Sequence, residues 1–246
     1  MIGSHTSNGM REEVVPERTC ASSDAVHPGM GVAVVDESGK IVRLNDRAAV
    51  LLFGAGSSAS KYVGENLNEL FPEDWVKDRG EAIQRVFETG EPVLFRSICD
   101  GKQIVTWLVR GNASEGTEGC VVAVLQAMAG SEPAQALGVP SEQVMEGEVV
   151  DLGPLHPLTP REVEVLALLG EGMSMKEISQ ELGCSLKTAE KHRGAVGAKL
   201  GLDDRVKLAR LATFAGLTRR DARRRRIVLT RPMVKPGRGA GAFSNN

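Results

Sequence analysis

Ser174-Met175-Lys176-Glu177-Ile178-Ser179-Gln180-Glu181-Leu182-Gly183-Cys184-Ser185-Leu186-Lys187-Thr188-Ala189-Glu190-Lys191-His192 is the stretch on which the fold turns. Ser174 stands three residues before Glu177, and Met173 and Ile178 flank the pair. That is the grammar of a capped helix start with a hydrophobic staple. The helix runs over Met175–Leu182 and stops at Gly183-Cys184. Ser185 then caps a second helix, Leu186–Leu200, which Gly201 ends. Two helices joined by a short glycine-containing turn form the helix-turn-helix pattern. In the second helix Ala189, Val196 and Leu200 are spaced to pack inward. Lys187, Thr188, Lys191 and Gly194–Ala195 fall on another face, near its N-terminus. In such motifs the N-terminal residues of the second helix meet base edges in the major groove.

Working outward, Thr159-Pro160-Arg161-Glu162 repeats the capping grammar, with proline at the first helical position, and Leu158 and Val163 supply the staple. Downstream, Asp204–Ala215 reads as a helix presenting Val206, Ala209, Ala212 and Phe214–Ala215 to a small core. Residues 155–217 are therefore expected to form an all-α, four-helix helix-turn-helix domain. Leu158-Thr159-Pro160-Arg161-Glu162, Leu166, Gly172, Lys176-Glu177-Ile178, Leu182, Ser185, Thr188, His192, Lys199-Leu200-Gly201, Arg205, Ala209, Ala212 and Gly216-Leu217 together resemble the LuxR-type helix-turn-helix. The resemblance implies a transcription regulator whose partner is double-stranded DNA.

The DNA contacts that the family implies fall on Lys176, Ser185, Lys187, Thr188, Lys191, His192 and Arg193. By chemistry, Lys176, Ser185, Arg193 and Lys199 suit phosphates, whereas Lys187, Thr188 and Lys191 suit bases. His192 is read equally as a packed, hydrogen-bonded residue or as a phosphate contact. Two departures stand out: Ala189 where the family usually has valine, and Glu190 where many members have lysine. A glutamate accepts from cytosine N4, so Glu190 is expected to change site preference rather than abolish binding. Gly194 and Gly197 inside the recognition helix each cost roughly 1 kcal/mol relative to alanine.

Toward the N-terminus the texture changes. Strands are expected at Gly31–Asp36, Ile41–Leu44, Pro92–Cys99, Lys102–Arg110 and Gly119–Gln126. Helices are expected at Arg47–Phe53, Gly64–Phe71 and Asp74–Glu88. This order describes an α+β domain over 28–130, with an antiparallel five-stranded sheet and helices on one face. Gly31-Val32-Ala33-Val34-Val35-Asp36, Gly39-Lys40-Ile41, Leu44-Asn45, Val63-Gly64-Glu65-Asn66-Leu67 and Thr89-Gly90-Glu91-Pro92 resemble a PAS domain. The resemblance implies dimerisation, or input from a small-molecule ligand or partner protein. Asp74–Glu88 holds no histidine to ligate haem, and Ser60–Leu70 no cysteine for photochemistry, so no cofactor is expected.

Residues 1–27 read as a disordered leader without the apolar stretch of a signal peptide, and no apolar run reaches the ~18 residues of a membrane span, so the expectation is cytoplasmic. Residues 131–154 read as an acidic Pro/Gly linker, and 131–157 contain five acidic residues and no basic one. Residues 218–246 read as a basic disordered tail with nine basic residues against one acidic. Basic charge gathered at one end implies an anionic partner, nucleic acid first. Cys20, Cys99, Cys120 and Cys184 have neither metal-ligand nor disulfide spacing. No nucleophile motif surrounds any of the four histidines, which speaks against an enzyme. The expected protein is a sequence-specific regulator acting as a homodimer. Two rival readings remain: a PAS-based signalling adaptor with vestigial DNA binding, and a sigma factor, which the missing polymerase-binding domain disfavours.

Overall fold

The computed structural model describes residues 29–111, 119–140 and 143–229. The expected leader, the joining segment 112–118 and the tail beyond residue 229 lie outside the described residues.

The chain opens with strands β1 (Gly31–Asp36) and β2 (Ile41–Leu44), the two with the clearest turn between them. Helices α1 (Asp46–Phe53), α2 (Leu67–Leu70) and α3 (Glu73–Thr89) follow, then β3 (Val93–Cys99), β4 (Lys102–Gly111) and β5 (Cys120–Ala127). Asn45 caps α1 by accepting from Ala48 N at 2.8 Å, and Gly90 closes α3 in the left-handed conformation. These five strands pair antiparallel in the order β2-β1-β5-β4-β3. Their alternation divides β3 cleanly: Phe95, Ser97 and Cys99 face the helices, and Leu94, Arg96 and Ile98 face the opposite side.

The sheet does not stop at five strands. Within the expected linker lie α4 (Pro133–Leu137) and β6 (Val144–Val150), and β6 pairs parallel with β3. From the expected tail, β7 (Arg225–Arg226) pairs parallel with β6, giving seven strands. Two residues that read as linker punctuation bound an element instead: Pro133 opens α4 and Gly138 caps it. The buried Asp78 of α3 accepts from Glu148 N at 2.7 Å and so holds β6 against the helix layer.

The helical domain comprises α5 (Pro160–Gly170), α6 (Met175–Glu181), α7 (Leu186–Leu200) and α8 (Arg205–Ala215). Helix α5 is buried from Glu162 through Leu169, because it is covered by α7 and α8 on one side and by the C-terminal segment on another. One core runs from Ile98 and Val150 of the sheet, and Leu152 just after β6, into Leu166, Ile178 and Val196 of the helices. The helical domain thus sits against the outer side of β3 and β6, opposite the helices of the N-terminal domain. Burying large aliphatic side chains of this kind stabilises by roughly 1.5–3 kcal/mol each.

Beyond α8 the chain turns back. Thr218 and Asp221 cap a short 3₁₀ turn, Arg219–Arg223, and Ile227 enters the core of the N-terminal domain beside Val149. Five of the arginines expected in a free tail are therefore engaged within the molecule. Arg219 binds Glu181, Arg223 binds Glu164, Arg224 binds Glu146, Arg225 binds Asp74, and Arg226 donates to the Leu158 carbonyl. Part of the charge asymmetry that pointed to an anionic partner is answered by the chain's own acidic residues.

Candidate nucleic-acid interface

The helix starts are built as their sequences require. Ser174 Oγ accepts from Glu177 N at 3.3 Å while Glu177 Oε2 accepts from Ser174 N at 2.7 Å. Thr159 and Glu162 repeat the exchange at 3.3 and 2.6 Å. At Ser185 the reciprocal partner is a hydroxyl: Ser185 Oγ accepts from Thr188 N at 3.1 Å and lies 2.8 Å from Thr188 Oγ1. Helix α7 spans the expected residues, with Ala189 and Val196 fully buried beneath it.

Its outer face carries exposed Leu186, Lys187, Glu190, Lys191 and Gly194. Lys176 is exposed on the first turn of α6. Ser185 is exposed, whereas Thr188, His192 and Arg193 are half-buried. Arg193 Nη1 donates to the Asp203 carbonyl at 3.4 Å, at the turn into α8. Lys199 stands apart from the others: its Nζ lies 2.6 Å from Glu162 Oε2, so it braces α7 against the start of α5. Burial works to raise the Glu162 carboxyl, but the hydrogen bonds of Lys199 and Thr159 outweigh it and hold it below the usual carboxylate range.

Spacing alone did not reveal three residues here. Leu186 is 46% exposed at the first position of α7, an apolar group suited to a thymine methyl. Arg161 Nη2 donates to the Leu182 carbonyl at 2.6 Å, and Arg205 Nη2 to the Met173 carbonyl at 2.7 Å. Both arginines tie helix ends; Arg161 is also paired with Glu164, whereas Arg205 stays exposed.

The N-terminal domain encloses an apolar cavity of about 70 Å³ lined by residues including Trp75, Arg79, Phe95, Ser97 and Cys99. Tyr62, Phe53, Phe71 and Trp75 form a continuous stack beside it, with successive ring centroids 3.7, 5.1 and 3.7 Å apart. The Arg79 guanidinium lies 4.1 Å from the Trp75 ring centroid and 3.1 Å from Asp78. Burial pushes Arg79 down to about 10, which leaves it a cation at neutral pH. The buried Trp75 indole N–H meets no acceptor among the described residues. Among those residues no group of three or more His, Cys, Asp or Glu is placed to hold a metal ion, and no helix is long and apolar enough to cross a membrane.

Residues 156–212 match the model of the bacterial regulatory proteins of the luxR family, and residues 27–130 match the PAS fold. The chain carries a PAS domain followed by a LuxR-type helix-turn-helix domain. The transcriptional regulatory protein MctR of Rhizobium johnstonii is 37% identical over 97 residues, which are 39% of this chain and 44% of MctR. The transcriptional regulatory protein UhpA of Escherichia coli is 48% identical over 58 residues, 24% of this chain and 30% of UhpA. The chain thus spans less than half the length of these curated relatives. Among solved structures, the Vibrio VqmA–ligand–DNA complex is similar at 22% identity and a TM-score of 0.45, over 80% of this chain and 88% of that one. The two extra strands join the PAS sheet to the LuxR-type domain.

Proposed function

We propose that this chain is a sequence-specific, DNA-binding transcription regulator that inserts α7 into the major groove. The observation that carries the reading is the exposed face of α7 at its N-terminal end, where Lys187, Glu190 and Lys191 stand together over a buried Ala189–Val196 seam. Lys187, Thr188 and Lys191 read bases, Glu190 accepts from a cytosine N4, and Leu186 meets a thymine methyl. Lys176, Ser185 and Arg193 hold phosphates, with His192 between the two roles. We assign Lys199 to bracing the recognition helix, because its charge is already engaged by Glu162.

The protein acts as a homodimer on paired half-sites, and the PAS domain supplies association or signal input. The cavity beside Trp75 suits a small, largely apolar ligand carrying one hydrogen-bond acceptor for the indole N–H. The full-length chain, incubated with randomised duplex DNA and carried through rounds of selection, tests the reading. Enrichment of one two-fold-symmetric sequence supports it, and a pool that stays random counts against it.

A further inference from the structure

Arg96 lies on β3 with its side chain wholly buried, and each of its five N–H donors has an acceptor. Nη1 donates to Asp221 Oδ1 and to Glu146 Oε2, each at 3.0 Å. Nη2 donates to Asp221 Oδ2 and to the Gly216 carbonyl, each at 2.8 Å. Nε donates to Gln103 Oε1. Asp221 is also wholly buried, and Gly216 is the residue that closes α8. One PAS side chain therefore holds the end of the last LuxR-type helix, the turn after it, and β6 at a single point.

The arrangement leaves little slack. Gly216 has φ +63°, and a Cβ there would lie 2.6 Å from Gln103 Cβ. Gln103 in turn donates from Nε2 to the Gly130 carbonyl at 3.0 Å, and Gly130 N donates to the Thr213 carbonyl at 2.7 Å. The neighbours of Arg96 along the strand, Phe95 and Ser97, line the PAS cavity on the other side of the sheet. The cavity and the clamp are separated by one strand thickness.

We propose that Arg96 is a positioning residue: through Asp221 and the Gly216 carbonyl it fixes how the recognition helix is aimed relative to the PAS sheet, and so which half-site spacing a dimer accepts. The spacing part rests on the DNA-binding reading above; the orientation part does not. A bidentate arginine–carboxylate pair with every donor filled imposes one geometry. A displacement of β3 from the cavity side moves the clamp with it.

The test uses the full chain with bio-orthogonal spin labels at Glu81 on α3 and Arg210 on α8, both exposed, diluted into unlabelled protein. Distance distributions are compared for the parent, Asp221→Asn, Glu146→Gln and the paired substitution Arg96→Met with Asp221→Leu. Glu146 is partly exposed, and the paired substitution leaves no buried charge alone, so both avoid the fold loss that a lone buried charge brings to Asp221→Asn. The proposal predicts one narrow distance in the parent and broad distributions in the folded variants. It also predicts that a preference of about tenfold for one spacing, among duplexes stepped by one base pair, falls to about threefold, with single half-site affinity unchanged. Narrow, parent-like distances in variants that fold overturn it, whatever DNA binding does. Narrow parent and broad variant distances in a chain that selects no sequence would fault the DNA reading alone.

Discussion

Lys199 Nζ and the backbone N–H of Thr159 share one acceptor, Glu162 Oε2, each at 2.6 Å. The last turn of the recognition helix is thereby tied to the first turn of α5, which is itself buried in the core. Lys199→Ala should lower stability by about 1 kcal/mol, a modest figure because the lysine is partly exposed. Its salt dependence of DNA binding should match the parent. Lys176→Ala should flatten the log–log salt slope by about 0.9, the signature of one lost phosphate contact. Equal slope changes in the two variants would return Lys199 to the phosphate set.

The two glycines inside α7 should respond with opposite signs. Gly194 is exposed with open space around it, whereas a Cβ at Gly197 would lie 2.7 Å from the Leu202 carbonyl oxygen. Gly194→Ala should stabilise by about 0.5–1 kcal/mol through helix propensity. Gly197→Ala should destabilise, because the neighbour is backbone and cannot swing away. Thermal unfolding of the two variants reads both; a gain at Gly197 would refute the close packing described for the turn into α8.

Acid should loosen the molecule from its carboxylates. Burial works to raise both Asp221 and Glu164, but the hydrogen bonds and charge of Arg96 hold Asp221 below its ordinary 3.8, and those of Arg161 and Arg223 hold Glu164 below its ordinary 4.5. Folded pKa values below the unfolded ones mean stability that is present above the ordinary values and lost as pH falls through the lowered ones. Denaturant midpoints should therefore hold from neutrality down to about pH 5 and fall progressively below it. Asp221→Asn, where it folds, should show a shallower fall.

Truncation separates the two halves of the basic C-terminus. Removing residues 218–246 takes away Asp221 and Ile227 and leaves buried Arg96 with only the partly exposed Glu146 as a carboxylate partner, an effect on the order of 3–5 kcal/mol. Removing only residues 230–246 takes away Arg231, Lys235 and Arg238 and should leave the unfolding midpoint where it is. The shorter deletion should weaken binding to operator and scrambled duplex alike at low salt. A parent-like midpoint after the longer deletion would mean that the C-terminal segment does not hold the domains.

Local grammar made much of this legible. Strands β1 and β2 and helix α7 occupy the residues that turn and capping signals assigned, since each is set by its own neighbours in sequence. Strands β6 and β7 were not legible, because a parallel strand takes its register from partners far along the chain. Arg225-Arg226 has no strand pattern at all; what places it is Val149–Val150 beside it and Asp74 across from it. Arg96 likewise read as an ordinary strand residue, since its partners lie 50 and 125 positions away. The exposed face of α7 was legible, while the ion pair of Lys199 was not, because spacing along one helix says nothing of Glu162 on another.

Base discrimination by α7 tests the central claim most directly. Full-length chain and its Lys191→Ala variant are titrated against a selected operator and against the set of its single-base-pair changes, at fixed salt. The account predicts that the parent loses roughly 1–3 kcal/mol at particular positions, and that the variant loses discrimination at one or two of them while keeping its affinity for scrambled duplex. Parent and variant binding every duplex alike, or differing by the same factor on all of them, would contradict it.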